Sequence, residues 1–393
     1  MSATGMDERD GAGLRRLLGL CAFGLLLANL PGMAGVWASA DLPEIGGRTL
    51  GAAGAVAWWT GQTFVSWTFN IVLIAAFGGW LAWQQDRGLR VPLGWMLLLG
   101  LVLAYFIWFG ELISILAIAS MIALPLRAMQ PASRLVTALV LVGGTLLIVV
   151  AGSAVTALLP DTMEPGQLLG FGAEQVAEAE AAHRAGYFAQ LPRNMATALQ
   201  WHLMEVVFLG GGVLGLAMIG MLALETGFAG GRWAPMHYVL VAAVCLGLGL
   251  PLTGWAAAAA LARDFAPSGL WQSNGAHAAG ALLCAAGFAA LIVLAGNQAR
   301  LAPVTRLLEQ AGEIWLSLYT AQLLIGLVLF SFLPGLSLYG RLSPAGLALT
   351  GLLLCVVQAL AVWAWSRSFR TGPVEWLLDG LFRRQFGPLR RLS

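Results

Sequence analysis

The chain has 393 residues, of which 59% are hydrophobic and only 10% carry a formal charge. A soluble domain typically has about 25% charged residues because its solvated surface requires them, so this composition excludes an ordinary soluble protein and indicates a polytopic membrane protein. The net charge of +2 arises from 21 basic residues, all of them arginine, and it gives no basic patch for nucleic acid beyond a short C-terminal tail.

Ten apolar segments approach the length of membrane helices, which need about 20 residues to cross roughly 30 Å of hydrocarbon. They are 14–35, 60–84, 92–107, 109–127, 134–159, 199–224, 236–262, 271–296, 311–333 and 343–368. The third and fourth form one apolar run, and we predict a turn at 108–111 because one continuous helix would overshoot the bilayer. The sequence therefore predicts an all-α bundle of about ten spans, with 1–393 as a single transmembrane domain.

The distribution of arginine predicts the orientation of this bundle. If the loops alternate from a cytoplasmic N-terminus, the outer arginines are Arg48, Arg184, Arg193, Arg263 and Arg341. The other sixteen of the 21 arginines then lie on the cytoplasmic side, among them Arg87 and Arg391. Because positive residues concentrate in cytoplasmic loops, both termini are predicted to be cytoplasmic, with a basic tail at 371–393. Residues 9–40 also imitate a secretory signal, but we expect an uncleaved first helix.

The longest loop, 160–198, is predicted to be on the outer side. Its acidic residues are Asp161, Glu164, Glu174, Glu178 and Glu180. The stretch 173–188 is rich in helix-forming residues and predicts a short surface helix. Loops longer than about 12 to 15 residues are often functional, so a binding element and an ordinary solvated helix are both open.

Few ionisable residues lie in the apolar segments, where each costs about 2.5 to 3.5 kcal/mol on insertion scales and needs a partner or a cavity. Those predicted at the outer helix ends, with the nearby amides, are Asn29, Glu111, His202, Glu205, Asn274 and His277. His202 and Glu205 share a helix face, since they are three residues apart. They fit an acid/base pair, two ligands of a divalent metal, or a structural hydrogen bond.

We predict a catalytic or substrate-binding set on this outer side and no metal site. The set consists of His202, Glu205, Asn29, His277 and Glu111. Mid-membrane amides at Asn70, Gln322 and Gln358 are expected to bond across helices rather than bind substrate.

Toward the cytoplasmic ends, three arginines are candidates for binding an anionic ligand: Arg232, Arg300 and Arg306. Three glutamates lie near them in sequence: Glu225, Glu309 and Glu313. Ion pairing with an arginine is the simpler interpretation of these glutamates, and a shared anionic ligand is the alternative.

Three stretches carry a family resemblance. The C-terminal one contains AGEIWLSLYTAQLLIG, LPGLSLYGRLSP and VVQALAVWAWSRSFRTGPVEWLLDGL between Ala311 and Leu381, and GPVEW is its most specific piece. The others are AYFIWFGELISILAIASMIALPLR from Ala104 and VLGLAMIGMLALETGFAGGRW from Val213. Together they resemble the bacterial YeiB-like integral membrane proteins, a family of unassigned function. The resemblance implies a multi-pass protein of the bacterial cytoplasmic (inner) membrane.

That family is distantly similar to the transmembrane acyltransferases of the heparan-alpha-glucosaminide N-acetyltransferase type. The similarity implies acyl-CoA as co-substrate, a small-molecule or glycan acceptor on the outer face, and a histidine base. The chain departs from the family pattern: residues 30–60 contain no histidine, and Glu225 and Glu313 stand where arginine is common. A transporter, or a membrane protein that binds lipid or small molecules without catalysis, is the alternative. The sequence leaves open whether the chain forms a homo-oligomer.

Overall fold

The computed structural model describes residues 8–84, 89–161, 163 and 166–390. Arg87, Glu164 and Arg391 lie outside the described residues. Within them the protein is all-helical and has no strand, as predicted, apart from one isolated β-bridge between Phe369 and Arg390.

The described helices follow one another along the chain. They are α1 (Glu8–Ala34), α2 (Ala52–Phe64), α3 (Thr68–Trp83), α4 (Arg90–Phe106), α5 (Ile113–Leu126), α6 (Pro131–Ala154), α7 (Ala173–Ala185), α8 (Tyr187–Met204), α9 (Gly210–Glu225), α10 (Pro235–Ala262), α11 (Pro267–Ala295), α12 (Ala302–Glu313), α13 (Trp315–Leu327), α14 (Pro344–Ser368) and α15 (Pro373–Arg383). Proline stands in the first turn of α6, α10, α11, α12, α14 and α15, where its missing N–H has no intrahelical partner to lose.

Eight helical stretches in the described residues are long and apolar enough to cross a membrane, and α4 and α5 are two shorter apolar helices. The eight differ in how much of their surface the protein covers. The most apolar window of α1 is 67% buried, whereas those of α6 and α14 are 6% and 17% buried. Because apolar side chains need no cover in lipid, α6 and α14 fit the rim of the bundle and α1 its centre.

Close packing of α1 depends on glycine. A Cβ at Gly19 would collide with the backbone of Leu308 in α12. The same holds at Gly100 of α4, where a Cβ would collide with the backbone of Ser114 in α5. Small residues allow helix backbones to approach in membranes, so these two glycines fix where the helices meet.

The break predicted at 108–111 is present: α4 ends at Phe106 and α5 begins at Ile113. Two other predicted spans are interrupted at positions where the hydropathy pattern does not indicate a break. Segment 60–84 is divided between α2 and α3, and Trp67 between them has a left-handed backbone with φ of 62°. Segment 311–333 is divided at Ile314 between α12 and α13.

The predicted extent of the outer loop was wrong. The surface helix is present as α7, but residues 187–198 belong to α8, which continues through a π-helical turn at Glu205–Leu209 into α9. Gln190, Arg193 and Asn194 lower the hydropathy of this stretch, so it does not have the apolar run that predicts a membrane helix. Arg193 pairs with Glu178 and Asn194 bonds to backbone groups at the end of α4, so protein contacts replace lipid in stabilising this part of the helix.

The described ion pairs form two separate sets at opposite ends of the bundle. One set is Asp10–Arg232, Arg15–Glu313, Arg16–Glu309, Arg134–Glu225 and Arg383–Asp379. The other set is Arg48–Glu180, Arg184–Glu180 and Arg193–Glu178. Each pair joins residues that the sequence assigned to the same side. We call the first end of the bundle the inner end and the other the outer end.

Of the three amides predicted to bond across helices, Gln322 and Gln358 do so, whereas Oδ1 of Asn70 has no hydrogen-bond partner among the described residues. Nε2 of Gln322 donates to Oε1 of Gln358 at 2.7 Å, and both side chains also donate to the carbonyl of Ala22. These bonds join α13, α14 and α1, so the two glutamines connect helices.

Candidate functional site

Five polar side chains meet inside the outer half of the bundle, and we call them the polar cluster: Glu111, Ser114, His202, Glu205 and Tyr319. Glu111 and Ser114 have no exposed surface, and Glu205 and Tyr319 are 5% and 1% exposed. The Glu111 carboxylate interacts electrostatically with His202, Glu205 and Tyr319. Buried charge of this kind needs specific partners, which the following contacts supply.

Glu111 occupies the break between α4 and α5 and caps the second of these helices. Its carboxylate accepts the backbone N–H of Ile113 and, at 3.0 Å, that of Ser114. The first N–H groups of a helix have no intrahelical partner and carry partial positive charge, so a carboxylate is well suited to this position. The break thus places a buried acid at the start of α5.

His202, near the end of α8, is held in one tautomer. Its Nδ1 lies 2.7 Å from the carbonyl of Ala198, which can only accept, so Nδ1 carries the proton. Nε2 lies 2.9 Å from the Ser114 hydroxyl, and in the neutral ring it accepts from that hydroxyl. The ring also stacks on Tyr105 with an interplanar angle of 7°. His202 thus presents Nε2 to a hydroxyl group.

Glu205 does not pair with His202, contrary to one interpretation of their spacing. Its Oε1 accepts from Nε1 of Trp201 at 2.9 Å, and among the described residues its Oε2 has no hydrogen-bond partner. The π-helical turn begins at Glu205 and departs from the α-helical register that the spacing argument assumes. A buried carboxylate oxygen without a donor is a place for a proton or a ligand donor.

Asn29 joins the polar cluster and His277 does not. The Asn29 side chain lies beside Tyr319, although its Nδ2 has no hydrogen-bond partner among the described residues, and the Tyr319 hydroxyl accepts the N–H of Leu112 at 3.0 Å. His277 lies on α11, and its Nε2 has no hydrogen-bond partner among the described residues. None of the described contacts joins it to the polar cluster. The structure therefore assembles four of the five predicted residues.

The outer cavity, of about 60 Å³, lies beyond the polar cluster toward the outer end. Trp37, Phe109 and Asn194 are among its lining residues. Trp201 packs edge-on against Trp37 at 5.4 Å and against Phe109 at 5.8 Å between ring centroids, and it donates to Glu205. Trp201 therefore connects the cavity wall to the polar cluster.

Asn194 was not predicted, yet it holds the α4–α5 break in place. Its Nδ2 donates to the carbonyls of Ala104 and Tyr105 at 2.9 Å each, and its Oδ1 accepts the N–H of Phe109 at 3.1 Å. These are backbone groups released where α4 ends, and they would otherwise be buried without partners. Because Asn194 lies in a stretch predicted to be a solvated loop, the sequence does not indicate that its side chain bonds to backbone groups of α4.

His183 of α7 also lines the outer cavity. Its ring stacks on Tyr339 at 3.6 Å, and Nδ1 donates to the carbonyl of Ala179 at 2.8 Å. Burial lowers the pKa of His183 from 6.5 to about 4. This histidine is therefore neutral at physiological pH and closes one side of the cavity.

The inner cavity, of about 410 Å³, lies at the other end of the bundle. Met96 and Leu316 line it, and they stand close in sequence to the polar cluster. Met96 is one helical turn before Gly100, which packs on Ser114, and Leu316 is three residues before Tyr319. The polar cluster thus lies between the two cavities.

The three candidate arginines do not form one site. Arg232 pairs with Asp10 at 3.4 Å, Arg300 and Arg306 are exposed, and none of them lines the inner cavity. The glutamates near them in sequence pair with arginines of other helices: Glu225 with Arg134 at 2.7 Å, Glu313 with Arg15 at 3.6 Å, and Glu309 with Arg16. Glu225 and Glu313 therefore both have arginine partners.

The GPVEW segment joins α15 to α13 through Glu375. Its carboxylate accepts the N–H of Leu316 at 2.8 Å, the N–H of Ser317 at 3.2 Å, and the hydroxyl of Ser317. Burial raises the pKa of Glu375, and these hydrogen bonds oppose that rise. The predicted tail 371–393 thus contains a docked helix.

No group of three or more histidine, cysteine, aspartate or glutamate side chains is placed to hold a metal ion within the described part of the chain.

Comparison with known families matches residues 222–384 to the model of a protein family of unknown function, DUF418, which consists of membrane proteins. The match covers less than half of the chain, from the end of α9 to the end of α15, and includes GPVEW. No curated protein and no solved structure matches the chain. The match and the apolar helices together indicate a multi-pass membrane protein.

Proposed function

We propose that this protein is a membrane-embedded acyltransferase that takes its acyl group from acyl-CoA and delivers it to a small-molecule or glycan acceptor on the outer face. His202 is the general base. The bond that forms joins the acceptor oxygen or nitrogen to the acyl carbon, and the bond that breaks is the carbon–sulfur bond of the thioester. His202 takes the acceptor's proton at Nε2 and returns it to the departing thiolate.

The observation that supports this proposal best is the Ser114–His202 pair. A hydroxyl 2.9 Å from an imidazole nitrogen has the geometry of a base and the group that it deprotonates. Ser114 is fully buried, and its hydroxyl marks the position that an acceptor hydroxyl would take. The carboxylate of Glu111 nearby favours the imidazolium that forms during transfer.

The test is acyl-CoA consumption by purified protein in detergent, for wild type, His202→Ala and the matched control His237→Ala. His237 is exposed at the start of α10 and lies outside the polar cluster. Removing a general base costs about 10²- to 10⁴-fold in rate, so His202→Ala should lose activity while His237→Ala keeps it. Failure of the wild-type protein to bind CoA in calorimetry would contradict the proposal.

Transport or small-molecule binding without catalysis is the second candidate, and the inner cavity favours it. None of Arg232, Arg300 and Arg306 lines this cavity, and the two arginines that do, Arg15 and Arg383, are each paired with a carboxylate, which leaves little net positive charge for the several phosphates of CoA. Binding of a membrane-soluble ligand by a wild-type protein that neither binds nor consumes acyl-CoA would support this alternative.

The ten-span topology with cytoplasmic termini belongs to the same proposal, in a bacterial inner membrane. The separation of the ion pairs into two end sets supports it. Single cysteines replacing the exposed Arg300 and Arg341 would be compared in a background without the four native cysteines. A membrane-impermeant maleimide should label position 341 in intact cells and position 300 only after lysis. Labelling in the reverse order would contradict the orientation.

A further inference from the structure

The inner cavity is separate from the outer cavity and contains none of the polar cluster. It lies among α1, α3, α4, α13 and α15, and its walls are mainly apolar and aromatic. Leu14 and Leu93 contribute aliphatic surface, while Trp80, Trp83 and Trp315 contribute ring faces. Cavities of about 300 to 1,000 Å³ with such linings are typical ligand sites, and this one has about 410 Å³.

Two ion pairs stand at the solvent-exposed edge of this cavity. Arg15 and Glu313 are 3.6 Å apart, with side chains 32% and 42% exposed. Arg383 and Asp379 are 2.7 Å apart and more exposed. All four residues line the cavity, so its edge presents cationic and anionic groups side by side. The third carboxylate of the lining, Glu375, is instead engaged by Ser317 and the backbone of α13.

α15 closes the cavity as a helix with two faces. Leu378 and Phe382 contribute apolar surface to the lining, and Asp379 and Arg383 contribute the charges at its edge. Glu375 fixes this helix to the start of α13. An amphipathic helix of this kind lies at the boundary between headgroups and acyl chains, so the cavity opens where a bilayer supplies lipid.

We infer that the inner cavity binds a zwitterionic phospholipid, with an acyl chain among the leucine and tryptophan walls and the headgroup at the two ion pairs. The phosphate bonds to the guanidinium groups of Arg15 and Arg383, which suit phosphate geometry. The ammonium group lies against Glu313 and Asp379 and the tryptophan faces. A purely anionic headgroup has no ammonium group of its own to place against the two carboxylates. This binding does not depend on acyl transfer at His202.

Native mass spectrometry tests the inference on full-length protein reconstituted with phosphatidylethanolamine and phosphatidylglycerol of identical chains. Wild type should retain one phosphatidylethanolamine in preference to phosphatidylglycerol. Leu93→Trp fills the cavity, so this variant should not retain the phosphatidylethanolamine. Met96→Phe fills the cavity from the same wall and should have the same effect. Leu98→Trp is the matched control, since Leu98 is on the same helix but 50% exposed, and it should retain the lipid.

The headgroup assignment has its own variant, Glu313→Gln, at a partly exposed position. Loss of an exposed charge pair changes affinity by about threefold, so the preference for phosphatidylethanolamine should fall by that factor. Equal lipid retention by wild type and Leu93→Trp would overturn the site, provided that thermal melting shows both to be folded. Equal or greater retention of phosphatidylglycerol by wild type, or no change in preference for Glu313→Gln, would overturn the zwitterionic assignment.

Discussion

The two ends of the bundle differ in how far their polar side chains are buried and how tightly these side chains are paired. In the outer half, Glu111 and Ser114 are fully buried and their contacts are short hydrogen bonds, with a small cavity beyond them. At the inner end, Arg15 and Glu313 are partly exposed and loosely paired at the edge of a large apolar cavity. Buried, oriented groups are suited to moving a proton, and a partly hydrated edge is suited to binding a headgroup. This difference fits the chemistry proposed for the outer half and the lipid binding proposed for the inner end.

The largest expected effect is at Glu111. Glu111→Leu leaves the N–H groups of Ile113 and Ser114 buried without acceptors, and the free energy of unfolding should fall by about 3 kcal/mol. Glu111→Gln keeps an acceptor oxygen and should lose less. Unfolding in mixed micelles, followed by circular dichroism, measures both. Equal stability of Glu111→Leu and wild type would mean that the outer half does not depend on its buried charge.

Glu375 extends the comparison to the inner end, because it is the most buried carboxylate in the inner-cavity lining. Glu375→Ala removes the acceptor for Leu316 and Ser317, and the free energy of unfolding should fall by about 2 kcal/mol. Asp379→Ala on the same helix breaks only an exposed pair and should cost less than about 1 kcal/mol. Protease cleavage after α15 should accelerate for Glu375→Ala alone. Similar cleavage of the two variants would contradict the role of Glu375 in docking α15.

Acidification should weaken the outer end selectively. The pKa of His183 is about 4 in the folded protein and 6.5 as a free side chain, so the unfolded state binds more protons between these values. Stability is therefore complete above pH 6.5 and is lost as pH falls toward 4, by on the order of 1 to 2 kcal/mol at pH 5. Hydrogen exchange of α7 at pH 7 and pH 5 measures this loss of stability. His183→Gln should remove the difference, and a pH response that persists in this variant would assign it to another group.

The smallest expected effects come from the exposed ion pairs, and they should be alike at both ends. Glu178 and Asp379 are 60% and 56% exposed, and each pairs with an arginine. Glu178→Gln and Asp379→Asn should each change the free energy of unfolding by less than about 1 kcal/mol, because solvent and salt screen such pairs. Thermal melting at low and high salt measures this. A large loss of unfolding free energy at one end only would show that the two ends differ in something other than the burial of their polar groups.

Part of the candidate site was accessible from the sequence. Charged or imidazole side chains in apolar segments are costly, which was sufficient to select Glu111, His202 and Glu205. The same argument selected His277, which the structure leaves outside the polar cluster. Ser114 gave no signal, because a serine in an apolar helix is common. Its importance arises only from the position of His202 across the helix interface.

The partners of each charge could not be predicted from neighbours in sequence. Glu225 was expected to pair with an arginine and does, but the arginine is Arg134 of α6 rather than the nearby Arg232. Ion-pair partners in a bundle are chosen by which helix ends lie together, and that depends on packing at positions such as Gly19.

The sequence by itself determined that this is an all-helical membrane protein with a break at 108–111, because the cost of placing polar groups in lipid acts on each segment separately. Only the tertiary structure decided that α8 is a helix, that His202 faces Ser114, and that two separate cavities flank the polar cluster. Those features depend on contacts between distant segments, in which Asn194 and Glu375 satisfy backbone groups of other helices. Local hydropathy does not predict such partners on distant segments.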